Sequence, residues 1–466
     1  MSDDTRPPQS LPVNVGAPSN NGAWPPAMVV RHPLAAIIAA GMVVRIALLP
    51  LTARLPNNLT DEGFWKHWMD IIDREGVLNI FRESNTDYVG YHWVLWLLTL
   101  VYDVMGGPYT NDDFSLHILV KIPPILFDIA LIVTVFQATR MLFRHHGFQE
   151  DRARTFGLAA AAIIAFQPAV LYDSAVWGQT DSAITAAMLG AIALASANRP
   201  FTAGAVLALG LAVKPHPVII GPVLLILLWR AGGWHALWRA AAGTVVVLAI
   251  VLGPWILHGE LGRIIDVYEV LFTQERQRLS ELAWNFWWII DQQGDPLPDD
   301  RIASWLPLTY KNAALLISAI SAALATIYAW LRPGLRGALV AAAYIAFAFY
   351  SWPVGSHERY LYPLLGLLLP PALLDRRWTW LYLALSVTFF LNLVTVAPPR
   401  HEWMDRWVYG DFGVAVAAVN TALFAAFTCM LLLDLRRRRA AVDLPQASVT
   451  GPARASRGAP TATIRG

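Results

Sequence analysis

The sequence carries five short polar clusters whose residue types could support chemistry, and the first is the acidic pair Asp61 and Glu62 in the run LTDEGFWKHWMD. A carboxylate next to aromatic rings can act as a general base towards a hydroxyl group, because burial raises its pKa towards neutrality. The adjoining Trp65, His67 and Trp68 make a sugar-facing site plausible. The alternative is a pair of solvated loop acids. We expect a catalytic carboxylate here, and either acid could be the base.

The second cluster joins Asp87 and Tyr88, at the start of an aromatic apolar segment, to Lys121 in the run LVKIPPILFD. A lysine near the end of a membrane helix is often only an anchor whose ammonium group reaches the interface. The same ammonium group could equally meet the phosphate of a lipid. These three residues are therefore candidates for binding substrate.

The third cluster is the run VWGQTDS at residues 176–182. Gly178 permits a tight turn, and Trp177 offers an apolar face to a sugar ring. Gln179 and Asp181 supply hydrogen-bond partners for hydroxyl groups. Gly, Thr, Asp and Ser all favour turns, so an ordinary turn is the alternative. The Trp-Gly-Gln run is the less expected part, and it favours a binding role.

The fourth cluster is the run KPHP at residues 214–217, which divides an apolar stretch into two short helices. Lys214 and His216 at such a break could neutralise a phosphate group. The alternative is a proline-broken hairpin whose polar groups only reach water. We favour the phosphate role, because the same side of the membrane otherwise offers few buried cations.

The fifth cluster is the run HERY at residues 357–360. His357 can titrate near neutrality, and Arg359 can bind a phosphate through two parallel hydrogen bonds. Glu358 would orient one of them, or would simply pair with Arg359 as an interfacial anchor. A titratable group and a forked donor in one short turn favour the functional interpretation.

The elements that position these clusters are predicted to be membrane helices. The chain has 466 residues, of which 56% are hydrophobic and 15% are charged, and this composition excludes a soluble enzyme. Apolar runs near 20 residues recur along it, each long enough to cross a bilayer. We predict an all-α bundle of about twelve transmembrane helices, at 34–53, 117–140, 156–175, 181–197, 201–213, 217–230, 237–257, 312–331, 336–352, 360–374, 378–396 and 412–434.

The arginines predict the orientation of the bundle, since cytoplasmic loops of membrane proteins are enriched in basic residues. Both termini lie in the cytoplasm when the cytoplasmic side holds Arg31, Arg144, Arg152, Arg154, Arg199, Arg230, Arg239, Arg332, Arg336, Arg376, Arg377 and Arg436 to Arg439. The opposite side then collects most acids in two long outer loops, 54–116 and 258–311. Residues 1–33 and 435–466 read as disordered cytoplasmic tails around a single domain at 34–434.

Two outer segments are predicted to lie along the membrane surface. Residues 88–105 are apolar enough to span, but a span there would invert every later helix, so we interpret them as a re-entrant or interfacial helix. Residues 261–279 are a second amphipathic candidate. Arg45 and Asp128 lie deeper in their helices, and we assign them to structural pairing within the bundle.

Taken together, the acidic pair, the Asp-Tyr step, the WGQTDS turn, the lysine-proline break and the HERY turn resemble the GT-C superfamily of integral-membrane glycosyltransferases. Within it, the likeness is to bacterial proteins related to the GPI-anchor mannosyltransferases and to the dolichyl-phosphate-glucose glucosyltransferases. The resemblance covers roughly residues 34–400, and its specificity comes from the order of the motifs and their shared side.

The resemblance implies an inverting transfer of a hexose, mannose or glucose, from a polyprenyl-phosphate sugar to a glycan or glycolipid acceptor on the extracytoplasmic face. Asp61 or Glu62 would be the base, and Lys214, His357 and Arg359 would bind the lipid phosphate. The remaining candidates would line the sugar or acceptor cavity, namely Asp87, Trp177, Gln179 and Asp181. No cofactor is required, and a divalent metal near the paired acids is left open.

Two other classes of protein compete with this interpretation. A transporter or flippase for a lipid-linked sugar would also carry intramembrane charges and broken helices, but we find no internal repeat, and the charged clusters gather on one side. A structural membrane scaffold gives no reason for KPHP or HERY. The expected partners are the sugar donor, the acceptor and membrane lipids, and the charge balance of +2 does not indicate nucleic acid.

Overall fold

The computed structural model describes residues 32–52, 61–83, 88–110, 112–273, 277–292, 296–396 and 405–442. Fourteen helices of ten residues or more occur in these ranges, and we number them in chain order. They are α1 (Pro33–Thr52), α2 (Asp61–Glu75), α3 (His92–Met105), α4 (Phe114–His145), α5 (Glu150–Ala165), α6 (Asp181–Ser196), α7 (Pro200–Val213), α8 (Gly221–Leu257), α9 (Leu261–Thr273), α10 (Tyr310–Leu331), α11 (Leu335–Ser351), α12 (Tyr362–Leu374), α13 (Arg376–Val396) and α14 (Asp411–Val442).

Shorter elements connect the helices. The one-turn α-helices are Ile80–Glu83, Pro168–Leu171, Phe286–Ile290 and Asp405–Val408. The tighter 3₁₀ turns are Val77–Asn79, Val89–Tyr91, His216–Ile220 and Glu358–Leu361, and Tyr172–Trp177 forms a wider π turn. Four short strands are β1 (Ser280–Glu281), β2 (Arg301–Ala303), β3 (Leu306–Thr309) and β4 (Ser356–His357). Strands β2 and β3 form an antiparallel hairpin, whereas β1 pairs in parallel with β4.

The prediction of an all-α polytopic membrane protein is confirmed. Among the described residues, six helices are long and apolar enough to cross a membrane, and a bent pair, Glu150–Ala165 with Pro168–Trp177, makes a seventh candidate. Each of the twelve predicted segments coincides with helical structure, although several of those helices are short. The count of twelve spans stays a prediction.

Proline and glycine explain where the helices break. The predicted span 156–175 is interrupted after Ala165 and resumes at Pro168 with a bend of 51°, because proline disfavours helical geometry in the residue before it. Within α8, Gly232 and Gly233 leave the helical conformation, and Gly233 has a φ of 55°. His216, just before α8, contacts Phe349, and Trp255, near the end of α8, contacts Phe81. The chain therefore reverses at the two glycines, as the separate predicted spans 217–230 and 237–257 require.

Two cores hold the fold together. The larger one fills the bundle between α4, α6, α11 and α12, and α11 contributes an almost continuous run of buried residues. The smaller one is rich in aromatic rings, and it packs α2 and α3 onto the first turns of α4 and against Trp255 near the end of α8. The smaller core therefore forms a cap over one end of the bundle.

The segments predicted to lie at the surface are helical, with one apolar face exposed. On α3, Leu97, Val101 and Val104 are exposed although they are large and apolar. On α9, Ile264 and Val267 are buried while Ile265 is exposed. These exposed faces fit contact with lipid. At the other end of the chain, α14 continues past the predicted boundary at 434 to Val442.

Candidate active site

Polar side chains from all five predicted clusters meet at the capped end of the bundle. The centre of the arrangement is the WGQTDS turn, which joins the π turn to α6. Lys121 on α4 and Lys214 after α7 reach this turn, and Arg359 lies over its tryptophan ring. Tyr88 lies beneath the ammonium group of Lys214 at 4.9 Å from the ring centroid. The structure therefore brings together residues that are scattered over 270 positions of sequence.

Glu62 lies in the first turn of α2 and is surrounded by cations. Its carboxylate accepts a hydrogen bond from the His117 ring at 2.6 Å and pairs with Lys66 at 2.9 Å and Lys121 at 3.5 Å. Burial raises the pKa of Glu62, but the His117 hydrogen bond and the two lysine charges outweigh it and lower the pKa to about 2. The expectation that burial would raise this pKa towards neutrality is therefore wrong for Glu62.

The other two predicted acids of this region are Asp61 and Asp87. Asp61 is the first residue of α2, and its side chain lies outside the described residues. Asp87 also lies outside them, directly before Tyr88. Tyr88 itself is buried among Trp65, Trp68 and Tyr91, with ring centroids 4.6, 6.0 and 6.5 Å away.

The WGQTDS turn is held from both sides. The Lys121 ammonium group donates to the carbonyl of Val176 at 2.8 Å, and the Trp65 indole donates to the carbonyl of Gly178 at 3.2 Å. Gly178 has a φ of 82°, a conformation that residues with a Cβ rarely adopt, so the predicted need for glycine is confirmed. Because Lys121 bonds both Glu62 and this turn, it ties α2 and α4 to the turn.

Lys214 makes the central buried ion pair. Its ammonium group lies 3.1 Å from the Asp181 carboxylate and 3.4 Å from the Gln179 amide oxygen. Lys214 and Asp181 are both nearly inaccessible to solvent. Asp181 opens α6, where the helix dipole also favours a negative charge. The ammonium group, which has three N–H donors, lies within hydrogen-bond distance of three acceptor atoms, the Gln179 amide oxygen and both oxygens of Asp181.

His216 from the same break is placed differently from Lys214. Its ring packs against Tyr360 at 4.5 Å and Phe349 at 5.4 Å between centroids. Neither ring nitrogen has a hydrogen-bond partner among the described residues. The packing of His216 joins the KPHP break to the HERY turn, whose last residue is Tyr360.

The HERY turn presents a cation above the tryptophan of the WGQTDS turn. The Arg359 guanidinium lies 5.4 Å from the Trp177 ring centroid and 3.1 Å from the Glu358 carboxylate. His357 lies 3.9 Å from the same carboxylate. Burial, together with the charges of Arg359 and Lys214, holds the pKa of His357 well below its usual range, although about a third of its side chain is exposed. His357 is therefore neutral at pH 7.

The loop predicted to lie on the outer side, 258–311, reaches this turn through the parallel pairing of β1 with β4. Glu281 stands opposite His357 in that register. Burial raises the pKa of Glu281, and the charge of Arg278 offsets part of the effect. The loop is fixed to the bundle by two asparagines, since Asn392 accepts from the backbone of Trp284 and Asn420 donates to it. The sequence predicts Glu281 in an outer loop and gives no sign of its place beside the HERY turn.

Asp173 is a second residue that the sequence analysis missed. It lies in the π turn before Trp177, is fully buried, and neither carboxylate oxygen has a hydrogen-bond partner among the described residues. It interacts electrostatically with Asp181, Lys214 and Arg359. Turns of the π type are frequent at functional sites. The available signal was a second acid in the run YDSAVWGQTDS, eight residues before Asp181.

Arg45 and Asp128, which the sequence assigned to structural pairing within the bundle, pair with each other. The two side chains are fully buried and lie 2.5 Å apart. Ser174, next to Asp173, also donates to the Asp128 carboxylate. This pair ties α1 and α4 to the π turn from below the site. No group of three or more His, Cys, Asp or Glu residues in the described ranges is placed to hold a metal ion.

Comparison with protein families places this arrangement in context. Residues 120–351 match the family model of glycosyltransferase family 87. The match supports a membrane glycosyltransferase of the GT-C type. The match covers the turn and the lysine-proline break of this glycosyltransferase, while the acidic pair and the HERY turn lie outside the matched residues. Comparison with curated proteins finds no match.

The family match confirms the resemblance to the GT-C superfamily. It also favours catalysis of sugar transfer over the transporter and scaffold interpretations. The capped, charged end of the bundle is where the structure brings the predicted site residues together.

Proposed function

We propose that this glycosyltransferase moves a hexose, mannose or glucose, from a polyprenyl-phosphate sugar to a lipid-linked or cell-envelope glycan acceptor. The transfer inverts the anomeric carbon and takes place on the extracytoplasmic face, with both termini in the cytoplasm. The observation that carries the proposal is the placement of two cations, Lys214 and Arg359, against the turn that holds Trp177.

These two cations suit the phosphate of a lipid-linked donor. Lys214 lies in a nearly water-free position, where an electrostatic interaction is stronger than in water. Arg359 can offer the forked donor geometry that phosphate oxygens accept. A sugar bound to that phosphate would reach Trp177, whose ring is an apolar face for the sugar ring, and Gln179, whose amide can bond its hydroxyl groups. Neutral His357 would add a hydrogen bond without adding charge.

The structure bears on which acid is the base. Glu62 is bound by three cationic or ring donors, and its low pKa makes it a poor proton acceptor at neutral pH. We therefore propose Asp61 as the base and Glu62 as the residue that positions it. Glu62 would act by fixing the first turn of α2 against Lys121 and His117.

The proposed reaction is a single displacement. The carboxylate of Asp61 takes the proton of the acceptor hydroxyl as that oxygen bonds to the anomeric carbon. The bond between the anomeric carbon and the phosphate oxygen breaks, and its electron pair stays on the lipid phosphate. Fixed cations stabilise the charge that develops on this leaving group, and they need no reorganisation at the moment of reaction. No cofactor enters this scheme.

Asp173 fits the same scheme as a residue that binds the substrate. Its two carboxylate oxygens have no hydrogen-bond partner among the described residues, and the group interacts electrostatically with Lys214 and Asp181. A buried polar group without a partner is costly, and it is commonly satisfied by a ligand or water. We propose that a sugar hydroxyl group is that partner.

The test is sugar transfer by the purified protein in nanodiscs, with polyprenyl-phosphate mannose, glucose and arabinose as donors and a membrane lipid extract as acceptor. We expect product with one hexose donor, and the opposite anomeric configuration in the product by NMR. Asp61→Asn should abolish turnover without changing the melting temperature. Glu75→Gln, an exposed acid on the same helix, is the matched control.

Two results would overturn the proposal. One is movement of a labelled lipid or solute across proteoliposomes with no donor consumed, which would establish a transporter. The other is full turnover by Asp61→Asn, which would remove the proposed base. Retention of the anomeric configuration would leave a glycosyltransferase but contradict the single displacement.

A further inference from the structure

A groove at the opposite end of the bundle has no part in the proposed reaction. It has a volume of about 710 Å³ and lies between α4, α6 and α7. Its apolar wall includes Val133, Ala193 and Val206, and its far end is lined by Arg140, Arg144 and Arg199. The active-site ends of the same helices carry Lys121, Asp181 and Lys214, so the groove opens away from the candidate active site.

The charge at the far end of the groove is predominantly positive. Arg140 and Arg144 lie one helical turn apart on α4, and Glu150 pairs with both of them. Arg199 enters from the residue before α7 and is exposed. The lining of the groove therefore holds one carboxylate, that of Glu150, and three guanidinium groups. This excess of positive charge complements an anion.

The whole groove, from its apolar wall to its arginines, is about as long as one lipid leaflet is thick. From Val133 to Arg144 the helix rises by about 16 Å at 1.5 Å per residue, and half of a bilayer's hydrocarbon core is about 15 Å thick. Small residues keep the groove open. A Cβ added at Gly190 would lie 3.3 Å from Val206 and 3.6 Å from Thr134, so glycine leaves room between α4 and α7.

We infer that this groove binds one anionic phospholipid, with the phosphate at the three arginines and an acyl chain along the wall of α4, α6 and α7. The predicted orientation places the arginines in the cytoplasmic leaflet, where anionic lipids attract basic groups and where basic pockets between membrane helices bind lipid head groups. The inference is independent of the proposed transfer reaction. A bound lipid would clamp three helices that also carry the candidate active site.

The test is native mass spectrometry of the delipidated full-length protein after incubation with phosphatidylglycerol or phosphatidylcholine. We expect one phosphatidylglycerol molecule to be retained and phosphatidylcholine to be lost. Arg199→Gln should weaken the apparent affinity roughly fivefold, the effect of one basic group near an anionic lipid. Ala193→Phe should abolish retention by filling the apolar wall without changing any charge.

The matched control is Arg239→Gln, which removes an exposed arginine from the same end of the bundle but outside the groove. It should bind phosphatidylglycerol as the wild type does. Equal retention of the two lipids, or unchanged binding by both groove variants, would overturn the inference. A dimer that both groove variants disrupt would show that a second copy occupies the groove. Equal retention of inorganic phosphate alone would show that the acyl chain has no role in binding.

Discussion

Replacing Glu62 by glutamine keeps the shape of the side chain and removes the charge that three groups surround. In the wild type, the pKa of Glu62 falls from an ordinary 4.5 to about 2. That difference corresponds to about 3 kcal/mol of folding free energy at neutral pH. The side chain is almost fully buried, so solvent screens little of this interaction. Glu62→Gln also leaves Lys66 and Lys121 buried without their anion, and breaking a buried pair costs roughly 3–5 kcal/mol.

We expect Glu62→Gln to lower the melting temperature in detergent by roughly 5 °C at pH 7, as followed by tryptophan fluorescence. The folded-state pKa is depressed, so the stabilisation is fully present above about pH 4.5 and is lost as the pH falls towards 2. The difference between wild type and Glu62→Gln should therefore shrink between pH 5 and pH 3. Adding Lys121→Met to Glu62→Gln should recover part of the loss, because it removes one uncompensated charge.

Glu75→Gln is the control, since this exposed acid lies on the same helix and its replacement should leave the melting temperature unchanged. A Glu62→Gln protein that melts like the wild type but has lost transfer would refute this reasoning. Glu62 would then act on the substrate, and Asp61 would no longer be the preferred base.

Three further predictions concern other parts of the fold. A Cβ at Gly243 would collide with the backbone of α7, whereas Gly253 has open space around it. Gly243→Ala should therefore destabilise the fold by ~1–3 kcal/mol, the usual cost of overpacking, and lower the melting temperature, whereas Gly253→Ala should not. Arg45→Met should destabilise the fold by roughly 3–5 kcal/mol, and Asp128→Asn in the same chain should recover part of it in thermal melts. Lys214→Gln should raise the KM for the lipid-phosphate donor by about tenfold, the effect of one charge-assisted hydrogen bond, in initial-rate assays that vary donor concentration.

The helices and the grouping of the motifs could be predicted from the sequence because both depend on local patterns. Apolar runs of sufficient length become helices in a membrane whatever their neighbours are. The turn at Gly178 is likewise a local property, since it depends on one backbone conformation. A polar cluster at the end of such a helix lies on one side of the membrane or the other. The arginines predict which side each helix end occupies, and this prediction places the clusters on the same side.

The environment of each acid could not be predicted in this way. The pKa of Glu62 depends on His117, which is 55 positions away, and on the packing of α2 against α4. The same holds for Glu281. It lies opposite His357 only because β1 pairs with β4, and these two strands are far apart in the sequence. The break before Pro168 has a local signal in the proline, but the continuous apolar run around it favours an unbroken span.

The buried ion pairs also explain how removal of a charge could abolish activity in two distinct ways. Each pair joins different helices: Arg45 on α1 meets Asp128 on α4, and Lys214 after α7 meets Asp181 on α6. Helices in a bilayer gain little from the hydrophobic effect when they associate, so polar pairs and close packing determine their neighbours and register. Removal of one partner can therefore displace the site as well as remove a ligand for the donor phosphate. A variant that loses transfer at an unchanged melting temperature identifies contact with substrate, whereas parallel loss of both identifies positioning of the helices.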